Sequence, residues 1–578
     1  MSIRLGLLGA ALLAATPLLF ARAQCPDGTP PPCGPGRPPA APPPPATYRQ
    51  LTTSGKDAGA TLSPDGRFLA YAEDTVLWVR NVQAGGAPVA VSTEHWRWDL
   101  GVQWFPDGSK LLLRGDSGLS VLPSLGGTAR AVGPGCFFRV SPDGRRFATF
   151  CAYSKFVEVR DAETGAVTDS VRVPGEYLFL TSGVDWSPDG RLLVVGIHAG
   201  ERRFMLQTVR LVDGRSRALL TDSVELWSPR WSPDGATIYY LREAGYAWQV
   251  WKMPVVASSG AGAGGPAIVL PLLEGTVGFH GSFDLVESGR HLAFTRVSRR
   301  GNLSVVTADS TAPPRVLTVG SAFVDMARFS PDGSRVAFVQ GDATSRNVFV
   351  ARVDSGAPRQ LTYLSERQAS SLDWSPNGRL LVYCSNGEAG PQLEMTSLTG
   401  HVTSPVMAGV LSQTCEVGWL SNDEVLYHRS GNRNFGVVSL AGHPEQLLVP
   451  HDSVGWMFDP RADPSGTRVA VRWNPSEFGL WVISRADSSA RLLAPGNYTP
   501  VRWAADGRSL YAWGRTGLTR LALEGGAAEP VTFSACRGAL EDISADGTRA
   551  LCITGEWTSD AWLIRDFDPT ARALPRPR

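Results

Sequence analysis

The chain has 578 residues, 43% of them hydrophobic and 19% charged, with a formal net charge of +1. That length exceeds what one ordinary core serves, and a near-neutral chain without a clustered basic patch excludes a nucleic-acid footprint. No 3.6-residue periodicity is sustained, while 62 glycines and 43 prolines suit an all-β protein with frequent turns.

The first 23 residues read as an export signal: Arg4, an apolar run from Leu5 to Ala21, and the small-x-small site Ala21-Arg22-Ala23. The mature chain is then expected to start near Gln24, periplasmic or secreted. Lipidation at Cys25 is the alternative, and the one route to a membrane. Residues 24–47 form a proline-rich extended tether. The first β element is Tyr48 to Thr52, which has the character of a blade's last strand yet precedes the first hairpin.

From there a five-residue unit repeats. It stands as Trp186-Ser187-Pro188-Asp189-Gly190, and again at Leu62 to Gly66, Trp104 to Gly108, Val140 to Gly144, Trp231 to Gly235, Phe329 to Gly333 and Trp374 to Gly378, the last with Asn377 for Asp. Weaker copies end at Gly289, Asp423, Gly466, Gly507 and Gly547, which makes twelve. Proline presets φ for a type I turn, Asp bonds its own backbone, and Gly accepts the positive φ that closes a hairpin. Apolar residues alternate around each turn, as in Phe68-Leu69-Ala70-Tyr71. A third run follows, as in Asn347 to Val350, and a fourth after a further turn, as in Arg359 to Thr362. Four short strands per unit predict β-propeller blades.

The predicted fold is therefore all-β: tandem propellers, two six-bladed rings of four-stranded antiparallel blades. The expected division is a first ring over 48–315, a second over 316–567 and a tail over 568–578, with seven plus five blades as the alternative. The last blade ends at its third strand, Ala561 to Phe567, so the N-terminal strand is expected to complete a blade from elsewhere in the chain.

Eight cysteines fit an oxidising compartment. Cys25 and Cys33 bracket the tether, Cys136 and Cys151 face each other across the third hairpin, and Cys536 and Cys552 flank the last one. Cys384 and Cys415 would link neighbouring blades. No metal-ligand spacing occurs, and neither a metal nor a cofactor is expected.

The Ser-Pro-Asp-Gly hairpin with an aromatic third strand and a Leu-Thr fourth resembles the TolB-type (PD40, WD40-like) propeller repeat, which also occurs in prolyl-oligopeptidase, dipeptidyl-peptidase and tricorn propellers. The resemblance spans residues 48 to 567 and implies a fold rather than an activity. Neither TolB's α/β domain nor the peptidases' Gly-x-Ser-x-Gly elbow is present in the chain.

In a blade, the first-to-second and third-to-fourth turns share one face, which the repeated motif keeps uniform. The other face carries the variable loops, rich in aromatics and arginine. Its candidate ligand-binding residues are Trp96, Trp98, Arg202, Arg203, Trp227, Tyr246, Trp248, His280, Arg299, Arg300, Trp456, Trp473 and Trp557. Packing beneath the loops is the competing role for each Trp. Asp99, Asp185, Glu225, Asp325, Asp373 and Asp542, with Glu416, precede motif aromatics. They would form an acidic rim at the channel mouth, or bond the starts of strands. The function expected is a non-catalytic platform for an envelope protein, peptide or glycan. A channel-mouth enzyme, such as a polysaccharide lyase or hydrolase, is the alternative.

Overall fold

The computed structural model describes residues 46–571 except 74–75, 93–100, 116–117, 152–153, 173–182, 200–202, 245–246, 274–282, 287–288, 309–311, 321, 343–344, 355–356, 366, 388–389, 400–403, 409–410, 412–414, 430–433 and 451–454. Every regular element in these residues is a strand.

Where serine is the second motif residue, the motif closes its hairpin through one repeated set of bonds. In the first copy the Gly66 N–H donates to the Ser63 carbonyl at 2.8 Å and Gly66 sits at φ +70°. The Ser63 hydroxyl donates to Asp65 Oδ1 at 2.6 Å and accepts from the Phe68 N–H at 2.9 Å. Asp65 Oδ1 also accepts from the Arg67 N–H. Serine and aspartate thus satisfy the backbone groups that a tight turn leaves without partners. Asn377 does the same with its amide oxygen, accepting from Ser375 at 2.8 Å and from the Arg379 N–H at 3.0 Å. Such bonds hold Asp65, Asp107, Asp143, Asp332 and Asp546 below the ordinary carboxylate range. Asp546 falls to about 2, chiefly through the Ser544 hydroxyl.

Ten sheets hold the strands. Blades 1 to 5 begin with the inner strands Asp57–Leu62, Val102–Trp104, Phe137–Val140, Val184–Trp186 and Leu226–Trp231, and blades 7 to 11 with Phe323–Phe329, Gln368–Trp374, Val417–Ser421, Met457–Ala462 and Thr499–Trp503. Blades 6 and 12 are built differently. His291–Thr307 and Arg549–Arg565, 17 residues each, pair antiparallel along their whole length, from His291 opposite Arg565 to Thr307 opposite Arg549. The first part of His291–Thr307 follows the inner strand Phe283–Val286, and the last part of Arg549–Arg565 lies beside it. Thr47–Gln50 pairs outside that segment and completes blade 6. The remaining halves, with Ala539–Ile543 inside and Arg315–Val316 outside, make blade 12.

Twelve buried clusters show which blades touch. Five join blades 1 to 6 in sequence, and a sixth unites Leu62 and Leu69 of blade 1 with Ala293 and Leu563 of blade 6. Five more join blades 7 to 12, and Phe329 and Phe338 of blade 7 pack on Leu303 and Leu551 of blade 12. The result is two closed six-bladed rings. Closure leaves each blade's two apolar faces buried against neighbours and exposes no sheet edge between them. Motif tryptophans add a polar link: Nε1 of Trp104, Trp186, Trp374 and Trp503 donates to the carbonyl of Thr61, Arg139, Arg328 and Arg461 of the preceding blade.

The expected cut between residues 315 and 316 does not coincide with this pairing. Residues 300–307 and 315–316 pair within blade 12, and 557–565 return to blade 6, because each long strand crosses from one ring to the other. The segment Ala561 to Phe567 belongs to blade 6 and not to a last blade of the second ring. The start of the tail is also anchored: Asp568 accepts from Tyr239 Oη at 2.9 Å and pairs with Lys252 at 2.8 Å on blade 5.

Disulfides join Cys136 to Cys151, Cys384 to Cys415 and Cys536 to Cys552. The second ties blade 8 to the start of blade 9. Cys25 and Cys33 lie outside the described residues.

Candidate functional site

The turn face is committed to holding blades together. Arginines that start outer strands reach the next blade's third-to-fourth turn: Arg130 to the Ala162 and Glu163 carbonyls, Arg315 to Asp354, Arg359 to Leu398 and Arg491 to Leu523. A groove of about 500 Å³ beside Arg468, Arg491 and Arg508 opens here. Arg468 is occupied by Asp463 at 2.8 Å.

The residue before each motif aromatic lies on the innermost strand, facing the channel. In the first ring these are Thr61, Gln103, Arg139, Asp185, Arg230 and Asp284. They bond to one another. Arg139 meets Asp284 at 2.5 Å from three blades away, so the pair spans the channel, and Thr61 donates to Asp284 at 2.6 Å. Asp185 lies 3.7 Å from Arg139, and Arg230 lies 3.6 Å from Asp284. Burial, only partly offset by Arg139, lifts Asp185 to about 6.

The second ring's equivalents are Arg328, Asp373, Gly418, Arg461, Arg502 and Asp542. Arg502 grips Asp542 through Nε at 2.9 Å and Nη2 at 2.5 Å. Among the described residues, Arg328 donates only to the Ala327 and Glu541 carbonyls, and Arg461 only to those of Pro460 and Val501.

These contacts revise the acidic rim. Asp185, Asp373 and Asp542 accept the backbone N–H of the neighbouring blade's motif aromatic, Trp231, Trp419 and Phe329, at 2.8 to 2.9 Å. They are inter-blade links, as the strand-bonding alternative had it. Glu225 accepts from Trp227 Nε1 at 2.6 Å, and Asp325 pairs with Arg346 at 2.8 Å. Asp99 lies outside the described residues. Glu416 accepts the Asp459 N–H at 2.8 Å, and burial beside Asp459 holds its carboxyl well above the ordinary range. Asp459 sits at φ +56° in an inner-strand bulge and pairs with Arg472 at 3.1 Å. A non-glycine residue in that region marks a locally strained inner strand. In the first ring Glu243 is raised to about 7, by burial and then by Glu225.

The aromatic candidates separate into two groups. Trp227 is buried and meets Trp248 edge-on at 5.7 Å; Trp473 is buried against Trp481 at 5.5 Å. Both pack beneath loops rather than standing open on them. Trp248 and Trp456 are half-buried, and Trp456 stacks on Phe458 at 6.4 Å while donating its N–H to Asn474 Oδ1. Arg299 and Arg300 are not loop clamps. They lie in the crossing strand opposite Trp557 and Glu556, with Arg299 5.8 Å over the Phe323 ring. Arg203 is exposed. Trp96, Trp98, Arg202, Tyr246, His280 and the Trp557 side chain lie outside the described residues.

The structure adds residues the sequence reading passed over. Phe478, on a loop of blade 10, is 40% exposed, and Trp513, near the end of the strand Ser509–Gly514 of blade 11, is 36% exposed, with Tyr498 against Gly514. The signal was slight: Phe478 is the one aromatic of its loop, and Trp513 ends a strand just before the Arg515-Thr516 turn. The channel arginines were also findable, at one fixed offset before each motif aromatic. Among the described residues, no group of His, Cys, Asp or Glu could hold a metal ion.

A family model described as the lipoprotein LpqB beta-propeller domain matches residues 285–434. An uncharacterized protein of Agrobacterium fabrum is 30% identical over 195 residues, which is 31% of this chain and 63% of that protein, so the chain spans less than two thirds of its length. Among solved structures, the nidogen/laminin complex shares 11% identity at a TM-score of 0.32, covering 44% of this chain and 98% of that one. The tricorn protease shares 12% at a TM-score of 0.31, covering 81% and 61%. The repeat, the closed rings and the propeller model that matches residues 285–434 agree that this chain is a tandem β-propeller.

Proposed function

We propose that this protein is an exported binding platform for an envelope protein, peptide or glycan, working through the variable loop face without covalent chemistry. The observation that carries the reading is the contrast between faces. One is consumed by motif turns and arginine staples, while the other presents Trp456 and Phe478 on loops of blade 10 and Trp513 at a strand end of blade 11. Aromatic rings fixed by rigid blades bind with little ordering entropy. Export is supported by the signal-like N-terminus, by three disulfides and by likeness to a propeller described as a lipoprotein's.

The test is a glycan and peptide array probed with residues 24–578, followed by titration of each ligand found against Trp456→Ala, Phe478→Ala and Trp513→Ala. Hot-spot aromatics predict losses of about 10- to 30-fold each. Unchanged affinity in all three would sink the reading. A second reading, hydrolysis or elimination at the channel mouth, is favoured by one observation: two adjacent carboxyls, Glu416 and Asp459, of unequal proton affinity. Turnover of an array ligand that disappears in Glu416→Gln while binding persists would select it.

A further inference from the structure

The two channel layers occupy equivalent positions and differ in one respect. In the first ring every channel guanidinium lies within 4 Å of a carboxylate: Arg139 near Asp185 and Asp284, Arg230 near Asp284. In the second ring, among the described residues, only Arg502 does, through Asp542. Arg328 and Arg461 stand three blades apart in a ring of six, on opposite sides of the channel, and among the described residues their only acceptors are backbone carbonyls. Nη2 of each has no protein acceptor there.

The nearby acids are occupied. Asp373 accepts from the Trp374 N–H with Oδ1 and the Trp419 N–H with Oδ2, and Asp542 is held by Arg502 and the Phe329 N–H. Toward the mouth, Asp325 is paired with Arg346 and Asp459 with Arg472, and Glu416 accepts from Asp459. Glu541 is raised by burial. None comes within ion-pair reach of Arg328 or Arg461.

The layer also has a gap. Gly418 fills the position that carries a side chain in all eleven other blades. Its φ is not positive, and a Cβ there would meet nothing closer than 3.7 Å, from Asp373 Oδ2 and the Pro460 carbonyl. Neither backbone conformation nor crowding requires glycine. What its absent side chain leaves is room in the channel layer between Asp373 and Pro460, the residue before Arg461. Burial and Arg328 draw Arg461 down to about 10 against the opposing pull of Asp459, Asp373 and Asp542.

We propose that the second ring's channel is a binding site for one small oxyanion, a phosphate or carboxylate group, held between Arg328 and Arg461 in the space left by Gly418. Guanidinium donors suit the planar or tetrahedral oxygens of such groups. The site is independent of the loop-face aromatics. It could accept a free anion or the acidic group of a larger ligand entering from the mouth.

The experiment is calorimetric titration of the full mature chain with inorganic phosphate, sulfate and succinate at low ionic strength. Saturable binding of one anion per chain is expected. Arg461→Gln and Arg328→Gln should each weaken it by about 10- to 100-fold. Gly418→Asp, which places a carboxylate in the gap, should abolish it with the fold intact by circular dichroism, and Arg300→Gln on the crossing strand should leave it unchanged. Preference for phosphate and sulfate over succinate would assign a tetrahedral anion, and the reverse a carboxylate. The proposal is overturned if none of the three binds saturably, or if Gly418→Asp binds as the native chain does. Array ligands still bound through Trp456 in that case would leave the loop-face reading standing.

Discussion

The two rings share one repeat and one blade count, yet their channels are opposites. The first is closed by its own charges: Arg139 reaches across to Asp284, and Asp185 and Arg230 complete a neutral network. The second keeps two opposed arginines without carboxylate partners and a glycine where a side chain would fit. A buried charge is tolerated where its partner is fixed beside it. The comparison therefore marks the first channel as a structural plug and the second as the one built to receive something.

The largest expected effect tests whether the rings are separable at all. Residues 46–315 expressed alone would lack the third strand of blade 6 and carry the unpaired end of His291–Thr307. Neither this fragment nor 316–571 is expected to show cooperative unfolding by circular dichroism, whereas the whole chain should. An independently folded first ring would show that the exchange is dispensable.

Next in size is a pair of substitutions at equivalent channel positions. Arg139→Met strands Asp284 and Asp185 and should cost about 3 to 5 kcal/mol in chemical denaturation. Arg461→Met removes a charge with no carboxylate partner and should change stability by less than about 1 kcal/mol. Equal costs would erase the distinction between the channels.

A smaller effect concerns pH. Glu243 in the folded first ring is raised from 4.5 to about 7. The folded state therefore binds more protons than the unfolded one between those values, and stability falls as pH rises through that window. Glu243→Gln should flatten the slope between pH 4.5 and 7; an unchanged slope would remove Glu243 as its source. Smallest are the turns. Ser187→Ala loses the hydroxyl's bonds to Asp189 and the Leu192 carbonyl and the one from the Leu192 N–H, and should cost about 1 to 2 kcal/mol. Asn377→Asp keeps the accepting oxygen and should stay within about 0.5 kcal/mol.

Much of this was legible beforehand because it is local. Twelve motif copies gave twelve hairpins, and the motif tryptophans fell in the core as their position implied. The cysteines of the third hairpin bond because a symmetric hairpin brings its ends together, with Cα atoms 4.8 Å apart. The binding candidates fared unevenly for the opposite reason. Trp227 and Trp473 sit in loop-like sequence but are covered by a partner ring, and no local pattern distinguishes a covered Trp from an open one. Arg299 and Arg300 looked like a loop because a strand of 17 residues exceeds any ordinary blade strand.

The sequence by itself determined the blade, its turn chemistry and the number of blades, since proline, aspartate and glycine at fixed spacing dictate a hairpin wherever they occur. Only the tertiary structure decided how blades were shared between rings and which charges met. A strand's pairing partner hundreds of residues away, and a salt bridge spanning a channel, are set by closure of the whole ring. No residue's immediate neighbours in the chain encode that.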